Sequence, residues 1–295
     1  MQANLFPVDV FGTGPLTGNG LSVFLNTEDW PSSTLQRLTQ EMRQFESIFL
    51  SAITPAGAKA RVFTVEEELP FAGHPVLGAA AVLHRTQAPS AEACSWQLDL
   101  PHGKIAVKTV RVGAHFECEM NQGRPLLGPG IPLAALEPIL VRLGLKPSDV
   151  VSGIEARVIS TGLPYLVVPV HAKALANAKI TGTDLEARLG TWGAKFVLVL
   201  AVESREMRTW DNLGLVEDVA TGSAAGPAAA YLLSHGLANG DTPIELAQGR
   251  YAGRPSKITV LRSEDYNLLV RGEVWPVSQG FLELDPIADG TSRSE

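Results

Sequence analysis

Cysteine is nearly absent: Cys94 and Cys118 are the only two in 295 residues. Two are too few for a disulfide scaffold of this size, so a reducing cytoplasm is the expected compartment. Neither stands in a Gly-rich turn, so both read as packing residues. Basic residues are also scarce. Lys and Arg number 24 against 31 Asp and Glu, the net charge is −7, and no basic block forms. Nucleic acid and an anionic membrane are therefore poor partners. No apolar run reaches the length of a membrane span, and Asp9 arrives before any run of signal-peptide length. Aromatics make up 6% and outline no stacking surface. The histidines (74, 84, 102, 115, 171 and 235) show no ligand spacing, so no metal is expected. The Gly12–Gly20 stretch lacks both a Walker loop and a dinucleotide fingerprint, whose third Gly would fall at Thr17. Ser223 lies in Thr-Gly-Ser-Ala-Ala, outside a Gly-x-Ser-x-Gly elbow. No cofactor is indicated.

What is present is an acidic residue, a Gly turn and an Ala-rich helix, written twice. The first copy runs from Glu68 through Gly73-His74-Pro75 to Ala79-Ala80-Ala81. Pro75 suits a first helical turn, where its missing N–H has no partner to lose. Gly73 and His74 then sit at a helix N-terminus, whose free N–H groups and dipole favour an anion. The second copy runs from Glu217-Asp218 through Gly222-Ser223 to Ala228-Ala229-Ala230, 149 residues later. Gly73 pairs with Gly222, His74 with Ser223 and Leu83 with Leu232. Val10-Phe11-Gly12-Thr13-Gly14 returns as Val158-Ile159-Ser160-Thr161-Gly162 at an offset of 148. The chain reads as two duplicated halves, each presenting a Gly-initiated helix tip.

The length favours two domains. Strand character appears at 5–11, 21–25, 46–51 and 60–64, with a helix between the second and third carrying Leu35, Leu38 and Met42 at helical spacing, capped by Ser32 or Ser33. Residues 96–100 and 104–112 form a hairpin turned at 101–103, followed by a strand at 116–120. Residues 123–130 are the best candidate linker. Beyond it come helices at 133–143 and 184–189, strands at 157–159, 165–169 and 194–202, the second Gly turn with its helix to Ser234, and strands at 244–246, 257–261, 267–272 and 281–284. Many strands and few helices, without regular βαβ alternation, indicate an α+β protein.

Acid–base chemistry is what these residues permit. Two helix N-termini can hold a carboxylate, with the Ser223 hydroxyl as an added donor, while Glu46, His74 and Asp218 move protons beside it. Each has a plain alternative. Glu46 stands at a helix–strand boundary, where a solvated carboxylate is the commoner outcome. Asp218 can cap the turn before Thr221, and His74 can be hydrogen-bonded within its loop.

These motifs resemble the PhzF family, the phenazine-biosynthesis isomerase-like proteins. Val8-Asp9-Val10-Phe11 with Gly18-Asn19 resembles the family's opening, and Gln40-Glu41-Met42 with Glu46-Ser47 its catalytic-Glu segment. Arg61-Val62-Phe63-Thr64 running into the Glu68–His74 stretch is similar to its central motif. Glu217–Ala224 is similar to the second motif, and Gly253-Arg254-Pro255-Ser256 to a late one. The resemblance implies a diaminopimelate-epimerase-like fold of two pseudo-symmetric domains, each a curved, mostly antiparallel sheet around a central helix. It places the N-terminal domain at 1–126 with a return strand at 278–288, the C-terminal domain at 127–277, and the active site between them. It implies a homodimer and a small cyclic amino or hydroxy carboxylate as substrate, isomerised without a cofactor. Glu46 would be the proton shuttle, His74 and Asp218 accessory acid–base groups, and Gly73, Gly222, Ser223 and Asn19 substrate-binding. Epimerases of this fold carry a cysteine in each Gly turn; here those places hold His74 and Ser223, which disfavours a two-thiol racemase. The alternatives are an epimerase on the same scaffold and a non-catalytic homologue that binds a metabolite or a partner. Two departures stand out: Phe45 where the family usually has Ser, and Thr209-Trp210-Asp211-Asn212 in place of a Phe-Ala/Ser-Pro run in the wall of the cleft.

Overall fold

The computed structural model describes residues 1–101 and 103–284. The chain opens with an antiparallel pair, β1 (Gln2–Val10) and β2 (Asn19–Leu25). Helix α1 (Ser32–Met42) carries it over to β3 (Glu46–Thr54), parallel to β2, and β4 (Gly57–Thr64) and the short β5 (Glu68–Leu69) follow antiparallel. Helix α2 (His74–Gln87) crosses to β6 (Ala93–Leu100), parallel to β4, and β7 (Gly103–Val112) and β8 (His115–Asn121) extend the sheet antiparallel. His102, in the expected hairpin turn, lies outside the described residues.

The same series then repeats. Strand β9 (Leu126–Ile131) and helix α3 (Leu133–Arg142) lead to β10 (Ala156–Ser160), antiparallel to β11 (Pro164–Val170). A segment holding α4 (Leu185–Gly190) crosses to β12 (Phe196–Ala201), parallel to β11, followed by β13 (Glu206–Trp210) and β14 (Glu217–Asp218). Helix α5 (Gly222–Ser234) crosses to β15 (Ile244–Gln248), which pairs parallel with β13, and β16 (Ser256–Arg262) and β17 (Leu268–Pro276) follow antiparallel. The parallel pairs fall at matching places, which is the duplication read from the two Gly turns. The halves are stitched together by β17, which pairs with both β8 and β1. Strand β18 (Gly280–Glu283) returns to β1, pairing Leu282 with Ala3. Residues 285–288 of the expected return strand lie outside the described residues.

Each central helix is apolar all round because a sheet wraps it. Every residue from His74 to His84 in α2 is buried, and every residue from Gly222 to Leu232 in α5. Propensity does not hold α5: Gly226 and Pro227 together disfavour it by about 4 kcal/mol relative to Ala. Burial of Tyr231 and Leu232, each worth roughly 1.5–3 kcal/mol, offsets that. One apolar core runs through both halves and includes both helices. Two outer clusters cover the backs of the sheets: α1 packs on Phe24, Phe49 and Phe63, and α3 and α4 pack on β11 and β12. Covered on both faces, β11 and β12 show the unbroken apolar runs that sequence pattern alone assigns to buried strands.

Two expectations are corrected. The linker at 123–130 is largely strand: β9 pairs with β10, and a Cβ on Gly128 would press against the Val158 backbone carbonyl oxygen at 3.0 Å. Helix α1 is not capped by Ser32 or Ser33. Pro31 takes the N-cap position, and the Ser32 hydroxyl accepts a hydrogen bond from Arg61.

Candidate active site

The two helix tips meet. A Cβ on Gly73 would lie 2.4 Å from the Ser223 backbone nitrogen, so only glycine allows the α2 tip to approach α5 this closely. Glu46 reaches the same place from the first residue of β3, and Asp218 from the end of β14. Glu68 and Glu217 do not join them. Each instead forms a two-pronged pair with an arginine on the preceding strand, Arg61 and Arg208, holding the short strand that leads into each Gly turn.

Asn19, the first residue of β2, bridges the halves. Its amide nitrogen donates to Asp218 Oδ1 at 2.6 Å and to the Ala220 carbonyl at 3.0 Å, and lies 3.4 Å from His74 Nδ1. Two short bonds use both of its protons, which leaves the His74 Nδ1 lone pair for Glu46, whose Oε2 is 3.2 Å away. Desolvation pushes the His74 imidazole down to about 3, so it is neutral. Burial, reinforced by the charge of Asp218, lifts the Glu46 carboxyl well above the usual carboxylate range. With a neutral imidazole the contact is not a pair of charges, and the upward shift of Glu46 favours the form whose O–H donates to His74 Nδ1. The remaining proton of His74 then sits on Nε2, which is buried without a hydrogen-bond partner. Burial also raises Asp218, against the lowering effect of hydrogen bonds from Thr221 and Asn19. No Lys or Arg pairs with Glu46 or Asp218 among the salt bridges of the described residues.

The sequence-derived set is thus brought together whole: Glu46, His74, Asp218, Asn19, Gly73, Gly222 and Ser223. The solvated-carboxylate alternative for Glu46 is overturned, since only 6% of the residue is exposed. Four neighbours received no role from the sequence, although Thr209 stands in the segment marked there as a departure. Tyr165 shares a 2.7 Å hydrogen bond with Ser223. Thr221 donates to Asp218 and is held by Thr209 and Gln248. Gln248 did leave a signal: it takes the buried position that Ile244 and Leu246 hold before it on an alternating strand. Of the segment 209–212, only Thr209 belongs to this cluster; Trp210 packs in the outer cluster beneath Arg208. Among the described residues no group of three His, Cys, Asp or Glu could hold a metal ion, and no helix is long and apolar enough to cross a membrane.

A duplicated sheet around two abutting helix tips, with acid–base side chains from both halves, defines a protein of the diaminopimelate-epimerase-like fold. The Phenazine biosynthesis-like protein family, PhzC-PhzF, matches residues 8–280, and the chain belongs to it. The trans-2,3-dihydro-3-hydroxyanthranilate isomerase of Pseudomonas fluorescens is 32% identical over 92% of this chain and 94% of its own. A predicted epimerase of Pseudomonas aeruginosa, 45% identical, superposes over 97% of this chain and 100% of its own with a TM-score of 0.91. A probable proline racemase of Agrobacterium radiobacter, 11% identical, shares the fold over 97% of this chain and 94% of its own at a TM-score of 0.64. With several relatives named as isomerases, the chain is an isomerase by class.

Proposed function

We propose that this protein moves a hydrogen between two positions of a small, cyclic amino or hydroxy carboxylate, without a cofactor, using Glu46 as the proton carrier. The observation that carries this reading is the closed cluster in which Glu46 of one half and Asp218 of the other lie around a neutral His74, with no Lys or Arg of the described residues paired to either carboxylate. A carboxyl whose proton affinity is raised toward working pH can give a proton to one carbon and take one from another on the same face. Nothing is oxidised or reduced, and Glu46 ends as it began. The substrate carboxylate would lie against the helix tips, receiving the Ser223 hydroxyl and backbone N–H groups. His74 Nε2–H is the buried donor left to orient it. Glu46, His74, Asp218 and Ser223 are all less than 10% exposed, so admission of a substrate requires the crevice to open. The same reading assigns residues 1–126 with the return strand to one half of the site and 127–277 to the other.

A second reading, epimerisation, is favoured by the likeness to the predicted epimerase. It requires acid–base groups on both faces of one carbon. One panel separates the two: dihydroaromatic and α-amino carboxylates incubated in deuterated water and read by mass spectrometry and NMR. The proposal expects deuterium at a new ring position, with Glu46→Gln lowering the rate by about 10²–10⁴. Turnover that survives Glu46→Gln within about tenfold rejects the shuttle. Exchange confined to an α-carbon establishes the epimerase instead.

A further inference from the structure

Beside Asp218 lies a hydrogen-bond chain to which the proposed reaction assigns no part. The Gln248 amide, 1% exposed, is oriented by two groups that have no choice of role. Its Oε1 accepts the Thr221 backbone N–H at 2.9 Å, and its Nε2 donates to the Asp218 carbonyl at 2.8 Å. Nε2 also lies 3.1 Å from Thr209 Oγ1 and 3.0 Å from Thr221 Oγ1, so both hydroxyl oxygens receive its second proton. The two hydroxyls bond each other, and Thr221 reaches Asp218 Oδ2.

Only one direction satisfies every proton. Thr209 donates to Thr221, and Thr221 donates to Asp218. The reverse would start with a protonated Asp218 donating to Thr221, and would end with the Thr209 proton facing only the Gln248 donor. Thr209 is 2% exposed, so that proton would be stranded away from water. The other oxygen of Asp218, Oδ1, already receives an Asn19 proton.

We propose that Thr209, Thr221 and Gln248 form a one-way chain of donors that keeps Asp218 ionised and reserves proton exchange for Glu46. They are positioning residues, acting on the substrate only through Asp218. The inference rests on the reading of Glu46 as proton carrier and gives it a reason: of two buried carboxylates, only one is supplied with donors that fit its charged form. The other titratable groups facing Asp218 are Glu46 on β3, His74 on α2 and Tyr165 on β11. The Asp9–Arg254 pair lies behind the Gly18–Asn19 turn.

The test uses the ligand-free protein labelled with carboxyl ¹³C in Asp and Glu, with Asp218→Asn and Glu46→Gln assigning the two signals. The chain predicts that Asp218 titrates below Glu46. Thr209→Val, nearly the same shape, then raises the Asp218 midpoint by about one pH unit, tenfold in proton affinity. Thr209→Ser, which restores the hydroxyl, returns it. Should Thr209→Val not fold, Gln248→Met carries the same expectation. An Asp218 midpoint above that of Glu46, or one unmoved in a folded variant that is merely less stable, overturns the inference. Because no substrate is involved, a shifted midpoint without hydrogen exchange on any substrate would reject the isomerisation and leave the donor chain standing.

Discussion

His74 and Glu46 are shifted in opposite directions by the same dry surroundings, and the consequences for stability are opposite too. The His74 value in the folded protein is depressed from 6.5 to about 3, so its contribution is full above pH 6.5 and is lost as the pH falls toward 3. The Glu46 value is raised from 4.5, so its contribution is full below pH 4.5 and is lost as the pH rises through the folded value. Glu46→Gln keeps a donor for His74 Nδ1 and removes the ionisation. The variant is expected to match the wild type in melting temperature near pH 4 and to exceed it increasingly toward pH 8. Thermal unfolding across that range checks this, and a constant difference would show that Glu46 is not held in its neutral form. Phe45 and Trp210, which the sequence marks as departures, contribute no polar group to the cluster. Thr209, marked with them, does.

The short strands that lead into the two Gly turns are fixed by equivalent pairs in unequal surroundings. Arg61 and Glu68 are about one-third exposed, whereas the side chains of Arg208 and Glu217 are 9% and 14% exposed. Arg208 also donates to the Leu175 and Ala178 carbonyls and lies over Trp210 and Tyr251. Removing one partner of a buried pair leaves an uncompensated charge, whereas an exposed pair is screened by water. Glu217→Gln is therefore expected to lower stability by about 3–5 kcal/mol, and Glu68→Gln by less than about 1 kcal/mol. Urea unfolding of the two variants measures both, and equal losses would mean that the pairs are equally hydrated. The repeated acidic residue before each Gly turn is legible in the sequence. That it is paired and holds the turn became evident only from the arginine opposite.

At the scale of the molecule, the apolar core passes from one half into the other, and β17 pairs across the junction. The halves should therefore unfold together, in one transition seen alike by circular dichroism and tryptophan fluorescence. Strand β18 covers the edge of β1 over Gln2–Leu5. Ending the chain at Val277 uncovers that edge, and an open strand edge recruits other chains. The truncated protein is expected to melt lower and to associate, as read by thermal unfolding and size-exclusion chromatography. An unchanged melting temperature would show that the return strand is dispensable.

The sequence by itself determined the duplication, most of the strands and helices, and the residue types of the cluster, because Gly turns, Ala-rich helices and alternating strands are local patterns that physical chemistry constrains locally. It also drew a linker where β9 lies, because glycine signals a break whether it serves flexibility or close approach. Only the tertiary structure decided that Glu46 is buried, that Asn19 spans the two halves, and that Thr209 and Gln248 stand behind Asp218. Those facts depend on contacts between residues up to 199 positions apart, as in the Asn19–Asp218 bond, and on the exclusion of water that such contacts produce together.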